Sequence, residues 1–300
     1  MLIVCPEGGL GNRIRAFASA MALQHQYGCD LKCIWQCQQQ VLNAPFLSLF
    51  EPIQGIFIDS TFNNLATLRP VLSRYRWRRS WLQGLNYLQG VDRYLYEDSS
   101  HPGAIADALP DASRFINSGL VLIHTWQAFA DFTSQLCRFQ PIPSILARVD
   151  SITSHFDPNV VGVHIRRGDH LTSRQSSPIE DFQVWIDVHL QQHPSARFFL
   201  CSDDDEVHTH FSRIYGTRIL APHRLLSRDS VEGVKHAVVD LYSLSRTSQI
   251  VGSYHSSFSE LAALLGNISL HTIHRDSSFF TPNYASSSGS SSSGLVPHGR

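Results

Sequence analysis

Short apolar runs alternate with amphipathic stretches along almost the whole chain, and that alternation admits few folds. Runs at 1–5, 31–35, 56–59, 94–96 and 120–124, then 160–165, 197–201, 217–220, 249–252 and 269–273, read as strands. They are short, rich in β-branched residues and bounded by turn signals. Helical spacing predicts helices over 14–27, 142–155, 178–193, 204–214, 231–245 and 260–265. Gly28 stands where a left-handed cap would end the first, and Pro178 suits a first helical turn. Strand followed by helix, repeated, predicts parallel α/β sheets. The turn Asp157-Pro158-Asn159 divides the chain into an α/β unit over 1–157 and a second over 158–284. The Ser/Gly-rich stretch 285–300 reads as linker and tag rather than fold.

The polar residues cluster at the ends of these strands. Val160-Val161-Gly162-Val163 runs straight into His164-Ile165-Arg166-Arg167-Gly168-Asp169. Ser202-Asp203-Asp204-Asp205-Glu206 follows the next strand, and Ser253 to Ser259 follows the strand over 249–252. In the first half, strand 1–5 opens into Pro6-Glu7-Gly8-Gly9-Leu10-Gly11-Asn12-Arg13. Ligands in open α/β sheets bind outside the carboxyl ends of the strands, so these clusters are expected to meet across one cleft. Two α/β units facing each other in this way describe a GT-B-type glycosyltransferase, and also other two-domain nucleotide enzymes. The glycine turn is neither a P-loop nor a clean dinucleotide fingerprint. It lets backbone approach a ligand closely and directs helix N–H groups toward it.

Composition narrows the function classes. The net charge is -1, which gives no bulk electrostatic case for a nucleic-acid or membrane-surface partner. The segment 65–85 carries Arg69, Arg74, Arg76, Arg78 and Arg79 and reads as a solvated basic helix face or an acceptor-contacting edge. Lys32 and Lys235 are the only lysines, so positive charge rests almost wholly on arginine, which binds phosphate through a two-pronged fork. The six cysteines show no C-x-x-C spacing and read as reduced thiols rather than a zinc site. No apolar run approaches the ~18–20 residues of a membrane span, and the chain opens directly on a strand, so a cytoplasmic protein is expected. From spacing alone, Asp203-Asp204-Asp205 could hold a divalent cation with phosphates, or simply form an acidic first turn of a helix.

Taken together, the motifs resemble the fucosyltransferase superfamily, the α1,2-, α1,6- and protein O-fucosyltransferases that use GDP-fucose. The resemblance rests on Gly8 to Arg13, on His164 to Asp169 and on Ser202-Asp203-Asp204. It also rests on Asp240 to Ser245, followed by Gly252-Ser253 and Ser256-Ser257-Phe258-Ser259, all in the family's order. It implies two Rossmann-like domains, an inverting transfer of fucose to a sugar or protein hydroxyl, no metal and no other cofactor. Carried onto this chain, Arg166 would bind the β-phosphate of GDP, and Arg167 the strand–loop geometry or the α-phosphate. His164 and Asp240 would contact the nucleoside, Asp240 at the guanine edge, with Asp203 or Asp204 near the base. Ser256, Ser257 and Phe258 would hold the pyrophosphate, and Gly9, Gly11 and Asn12 would lie against fucose and acceptor.

One departure bears on mechanism. The α1,6-type enzymes carry a Glu a few residues after the arginine pair. Here the stretch reads His170-Leu171-Thr172-Ser173-Arg174, and the next carboxylate is Glu180 at a helix start. Asp169, His170 and Glu7 are then the candidates for the base. Competing readings are a transferase of the same fold using another nucleotide sugar, a non-catalytic nucleotide- or glycan-binding protein, and a phosphatase or kinase, which no nucleophile motif supports.

Overall fold

The computed structural model describes residues 1–60, 91–97, 103–168, 171–222 and 227–275. The basic segment 65–85, Asp169, His170 and the tail 285–300 lie outside the described residues.

Strands β1 (Leu2–Pro6), β2 (Leu31–Ile34), β3 (Ile56–Asp59), β4 (Arg93–Tyr96) and β5 (Val121–Thr125) form one sheet in the order β3-β2-β1-β5-β4. Strands β6 (Val160–Ile165), β7 (Arg197–Ser202), β8 (Ile219–Leu220), β9 (Ile250–Ser253) and β10 (Leu270–Ile273) form a second, ordered β10-β9-β6-β7-β8. Every pairing is parallel. The strand order reverses between β1 and β5 in the first sheet and between β6 and β9 in the second, and a doubly wound sheet opens its ligand crevice at such a reversal. The glycine turn follows β1 and the arginine pair follows β6, so both sit at these points.

The helices are α1 (Leu10–Tyr27), α2 (Ala104–Ala112), α3 (Pro143–Thr153), α4 (Leu171–Ser176), α5 (Ile179–Gln192), α6 (Asp205–Tyr215), α7 (Val231–Leu244) and α8 (Ser257–Gly266). Helix α1 ends on Gly28 at φ 62°, whose N–H returns to the Gln24 carbonyl, as its position in the sequence predicts. It starts at Leu10, four residues earlier than the expected Ile14, so Gly11, Asn12 and Arg13 belong to its first turn rather than to a loop. Helix α8 likewise starts at Ser257, three residues before the expected Glu260. Helices α2 and α4 were not expected, and the strand predicted over 217–220 is a 3-10 turn at Gly216–Arg218 followed by the two residues of β8. Pro178 precedes α5 as its cap residue.

The second sheet is buried on both faces, which is why its strands read as continuous apolar runs rather than alternating ones. Val161, Val163 and Ile165 of β6 join Phe198 and Leu200 of β7 beneath Phe182, Trp185 and Ile186 of α5. Val160, Phe199 and Cys201 point the other way, into a larger core containing Val238 and Leu241 of α7 and Leu261 of α8, which continues through α1 to the first sheet. The two sheets therefore share one apolar core, and the cleft between them has a packed floor.

Candidate active site

The alternation of side chains along a strand decides what the motif residues can touch. His164 and Arg166 have the parity of Val160, so they emerge on the face covered by α7 and α8, where the strand ends meet the first sheet. Arg167 has the opposite parity and turns away. Its Nη2 donates to the Ser177 carbonyl at 2.6 Å, Ser177 donates to the Ile273 carbonyl, and Tyr254 N donates to Ser177 Oγ at 2.8 Å. The second arginine thus ties together the segments that follow β6, β9 and β10. Asp203 and Asp204 divide in the same way. Asp203 faces the cleft, while Asp204 caps α6 by accepting from Glu206 N at 2.9 Å.

A cleft of about 680 Å³ lies between the strand ends of the two sheets. Gly9, Gly11, Asn12, His164, Arg166, Asp203, Asp240, Ser256, Ser257 and Phe258 all line it. Glu7, Arg167 and Asp204 are not part of its wall, and Asp169 lies outside the described residues. The sequence reading missed Arg15, Trp126, His236, Arg228, His255 and Glu260, which also line it. Trp126 carries the signal used elsewhere, a polar-capable side chain just past a strand end. Arg228 carries none.

On the second-sheet side, His164 is buried and its Nδ1 lies 2.7 Å from Ser259 Oγ and 3.3 Å from Ser256 Oγ. Its ring stands 4.8 Å from that of Phe258. Burial pushes this imidazole down to about 4; Asp203 opposes the shift and Arg166 adds to it, so the ring is neutral near pH 7. The neutral ring shares its Nδ1 with the Ser259 hydroxyl, one group donating and the other accepting according to the tautomer. Gly252 makes the contact possible, because a Cβ there would lie 2.5 Å from Ser259 Oγ.

Arg166 is anchored through its backbone, with N donating to Ser253 Oγ at 3.0 Å, while its guanidinium lies 3.8 Å from Asp203 Oδ2. Asp203 Oδ1 accepts from Arg167 N at 2.6 Å and from Gly168 N at 3.1 Å. Burial would raise this carboxyl, but the two N–H donors and the Arg166 charge outweigh it and hold it below the usual carboxylate range. A Cβ on Gly168 would lie 2.7 Å from Asp203 Oδ2, which accounts for the glycine after the arginine pair. Asp240, on α7, is buried at the cleft wall.

On the first-sheet side, Arg13 is wholly buried and holds the turn in shape. Its Nε donates to the Gly8 carbonyl at 2.8 Å, Nη1 donates to the Gln36 carbonyl, and the guanidinium lies over Trp35. Burial lowers it to about 10, which leaves it charged. Gly8 has φ 80°, a conformation that suits glycine. Glu7 turns back to β5, where its Oε1 lies 2.9 Å from Nε2 of buried His124, whose Nδ1 is 3.3 Å from the Tyr94 hydroxyl. Burial opposes charge on His124, but Cys5 and Glu7 beside it raise the imidazole well above its ordinary value.

The two sides meet where α1 and α8 begin. A Cβ on Gly11 would lie 3.0 Å from the backbone of Ser257, so the first turns of the two helices are in contact. Arg15 Nη1 bonds Glu260 Oε2 across this junction at 2.7 Å and Nη2 donates to Asn12 Oδ1. The first turn of α1 has no side-chain cap and no acidic residue, and Ser256 caps α8 by accepting from Ser259 N. Unpaired N–H groups of two helix starts therefore border a cleft that also holds arginine, an arrangement suited to a phosphate-bearing anion. Among the described residues, no group of three His, Cys, Asp or Glu side chains is arranged to hold a metal ion, and the six cysteines are free thiols. No described helix is long and apolar enough to cross a membrane.

No family model and no curated protein matches the chain. Solved structures do. The α-1,6-fucosyltransferase NodZ, soaked with GDP-fucose, superposes with a TM-score of 0.64 at 18% identity, covering 94% of this chain and 98% of that one. A further structure of NodZ from Bradyrhizobium gives 0.63 at the same identity. A variant of Arabidopsis thaliana FUT1 in complex with GDP gives 0.60 at 16% identity, covering 92% of this chain and 70% of that one. POFUT1 gives 0.51 at 13% identity over 89% and 95%. The two parallel sheets, their order reversals and the cleft between their strand ends thus form the GT-B fold of the fucosyltransferases that the sequence motifs resemble.

Proposed function

We propose that the protein is a glycosyltransferase that moves fucose from GDP-fucose to a hydroxyl group of a sugar or protein acceptor, with inversion and without a metal. The observation that carries this reading is Arg166, a cation fixed through its backbone at the end of β6, beside the starts of two helices, on a fold shared with proteins solved with GDP-fucose and GDP. In this reading the unit 158–284 takes the nucleotide sugar and the unit 1–157 the acceptor. The free state of all six cysteines supports a reducing compartment, and we assign the protein to the cytoplasm.

Transfer breaks the bond between the anomeric carbon and the β-phosphate oxygen, and the electron pair leaves with the phosphate. Arg166 meets that charge as it develops, helped by the N–H groups at the start of α8, with Ser256, Ser257 and Phe258 shaping the pyrophosphate seat. His164 and Asp240 hold the nucleoside; the neutral His164 offers a hydrogen bond without adding charge. Asp203 orients Arg166 and the backbone that follows it, with Asp204 and Arg167 supporting the same loops from behind. Gly9, Gly11 and Asn12 leave room for fucose and acceptor at the start of α1. The acceptor oxygen attacks the face opposite the leaving phosphate, and its proton passes to a base, with Asp169 and His170 the candidates left once Glu7 is held against His124 outside the cleft wall. An oxocarbenium-like transition state needs little base strength.

Thermal shift with GDP, GDP-fucose, GDP-mannose and UDP-sugars tests the donor, since a ligand of the folded state raises the melting temperature by mass action. Stabilisation by the guanine nucleotides, with fucose released or transferred, is the expected result; no response to any of them would end the reading. Binding of GDP without turnover would favour a non-catalytic binding protein. Arg166→Ala is expected to lower kcat by about 100-fold or more, the usual scale for removing a transition-state charge partner. Activity that persists in a chelator is expected as well.

A further inference from the structure

We propose that Arg228 is a second cation for the diphosphate of the donor, and that Asp203 is the counter-ion it shares with Arg166. The inference rests on the nucleotide-sugar reading above and assigns a residue to which that reading gives no part. Arg228 lies in the segment before α7, outside every motif that carries the resemblance, and the fold brings it to the site. Its Nη2 is 3.4 Å from Asp203 Oδ2, the same oxygen that lies 3.8 Å from Arg166 Nη1. All three side chains line the cleft and are between one-fifth and one-third exposed, so a ligand entering the cleft meets all of them.

Asp203 is the carboxylate that the two arginines share, and within this cluster two positive charges face one negative. Both remaining contacts of Asp203, the N–H groups of Arg167 and Gly168, fix its other oxygen, so it stays as the pivot when the arginines turn to phosphate. Arginine forks suit phosphate oxygens, and a diphosphate offers enough of them for both.

The backbone of Arg228 is held with unusual care for a surface loop. Residues 38–42 of the first half form a tight hairpin, with Gln40 at φ 62°. From its end, Asn43 N donates to the Arg228 carbonyl and Asn43 Nδ2 to the Asp229 carbonyl, both at 2.9 Å, and Gln40 N donates to the Asp229 carboxylate. From the other side, α7 presses close enough that a Cβ on Gly233 would lie 1.9 Å from the Ser227 carbonyl oxygen. The segment that carries the cation is thus held from the first half by Gln40 and Asn43 and from its own half by α7.

The test compares GDP with guanosine by titration calorimetry on the full-length protein and on Arg228→Ala, Arg228→Lys and Asn43→Ala, each checked for an unchanged melting temperature. Arg228→Ala is expected to weaken GDP about 10- to 100-fold, the range for a charge-assisted contact, while guanosine binds as before. Arg228→Lys should recover part of the loss because the charge remains, and Asn43→Ala should show a smaller loss confined to GDP. Unchanged GDP affinity in Arg228→Ala, or equal losses for GDP and guanosine, would overturn the proposal; the second result would mark Arg228 as a structural residue. Failure of the unaltered protein to bind GDP would instead overturn the donor reading on which the proposal depends.

Discussion

The buried neutral imidazole of His164 makes a prediction about acid stability that can be worked through. Its folded pKa is depressed from 6.5 to about 4, so as the pH falls the unfolded chain takes up this proton first. Stability contributed by the neutral ring is therefore fully present above about pH 6.5 and is lost as the pH falls toward about 4. Each pH unit in that window costs about 1.4 kcal/mol, and the loss between about pH 7 and about pH 4.5 is on the order of 2–3 kcal/mol. That is a large part of the marginal stability of a folded domain. Two serine hydroxyls and the Phe258 ring surround His164, so charging it also disturbs the start of α8. The assay is urea unfolding of the unaltered protein and of His164→Asn across this pH range. The variant loses hydrogen bonds at every pH, but only the unaltered protein has the extra acid-dependent loss, because His124, His189, His271 and Asp203 are present in both. Their difference should shrink by about 2–3 kcal/mol on acidification. A difference that stays constant with pH would refute the reasoning, since it would mean the ring is already charged in the folded protein or solvated in it.

Three further outcomes are expected. Gly252→Ala should force Ser259 away from His164 and cost about 1–3 kcal/mol, measured by urea unfolding, while Gly9→Ala, with open space around its Cβ position, should cost far less. Glu7→Gln should remove one of the two groups that raise His124, Cys5 being the other; the part of the stability that Glu7 contributes is present below about pH 6.5 and fades as the pH rises through the raised folded value, so the variant should differ from the unaltered protein most under mildly acidic conditions. Arg15→Ala should reduce stability by no more than about 1 kcal/mol, because its pair with Glu260 is partly exposed, and thermal melting at low and high salt would check this.

Most strands were legible as compact apolar runs, and of the residues just past their ends His164, Arg166, Asp203 and Ser256 line the cleft while Glu7, Arg167 and Asp204 do not. The start of α1 was not, because Gly9, Gly11 and Asn12 read as loop and no side chain caps the helix. Nor was α2, whose Pro110 inside the helix argues against one. The separation of Arg166 from Arg167 follows from strand parity and was open to inference once β6 was recognised. The buried position of Arg13 was hidden because it depends on the Gln36 carbonyl and the Trp35 ring, which reach it from β2 and the segment beyond. Strand order within each sheet, and with it the approach of Arg228 to Asp203, is a property of long-range pairing that local spacing does not encode.

The contact between Gly11 and Ser257 has an electrostatic side. Each helix start carries a partial positive charge of about half a unit, and here two like poles are pressed together at the floor of the cleft. Their repulsion, on the order of 1 kcal/mol, acts across the junction between the two halves, which the Arg15–Glu260 pair spans. An anion seated between the poles turns that repulsion into attraction to a common centre.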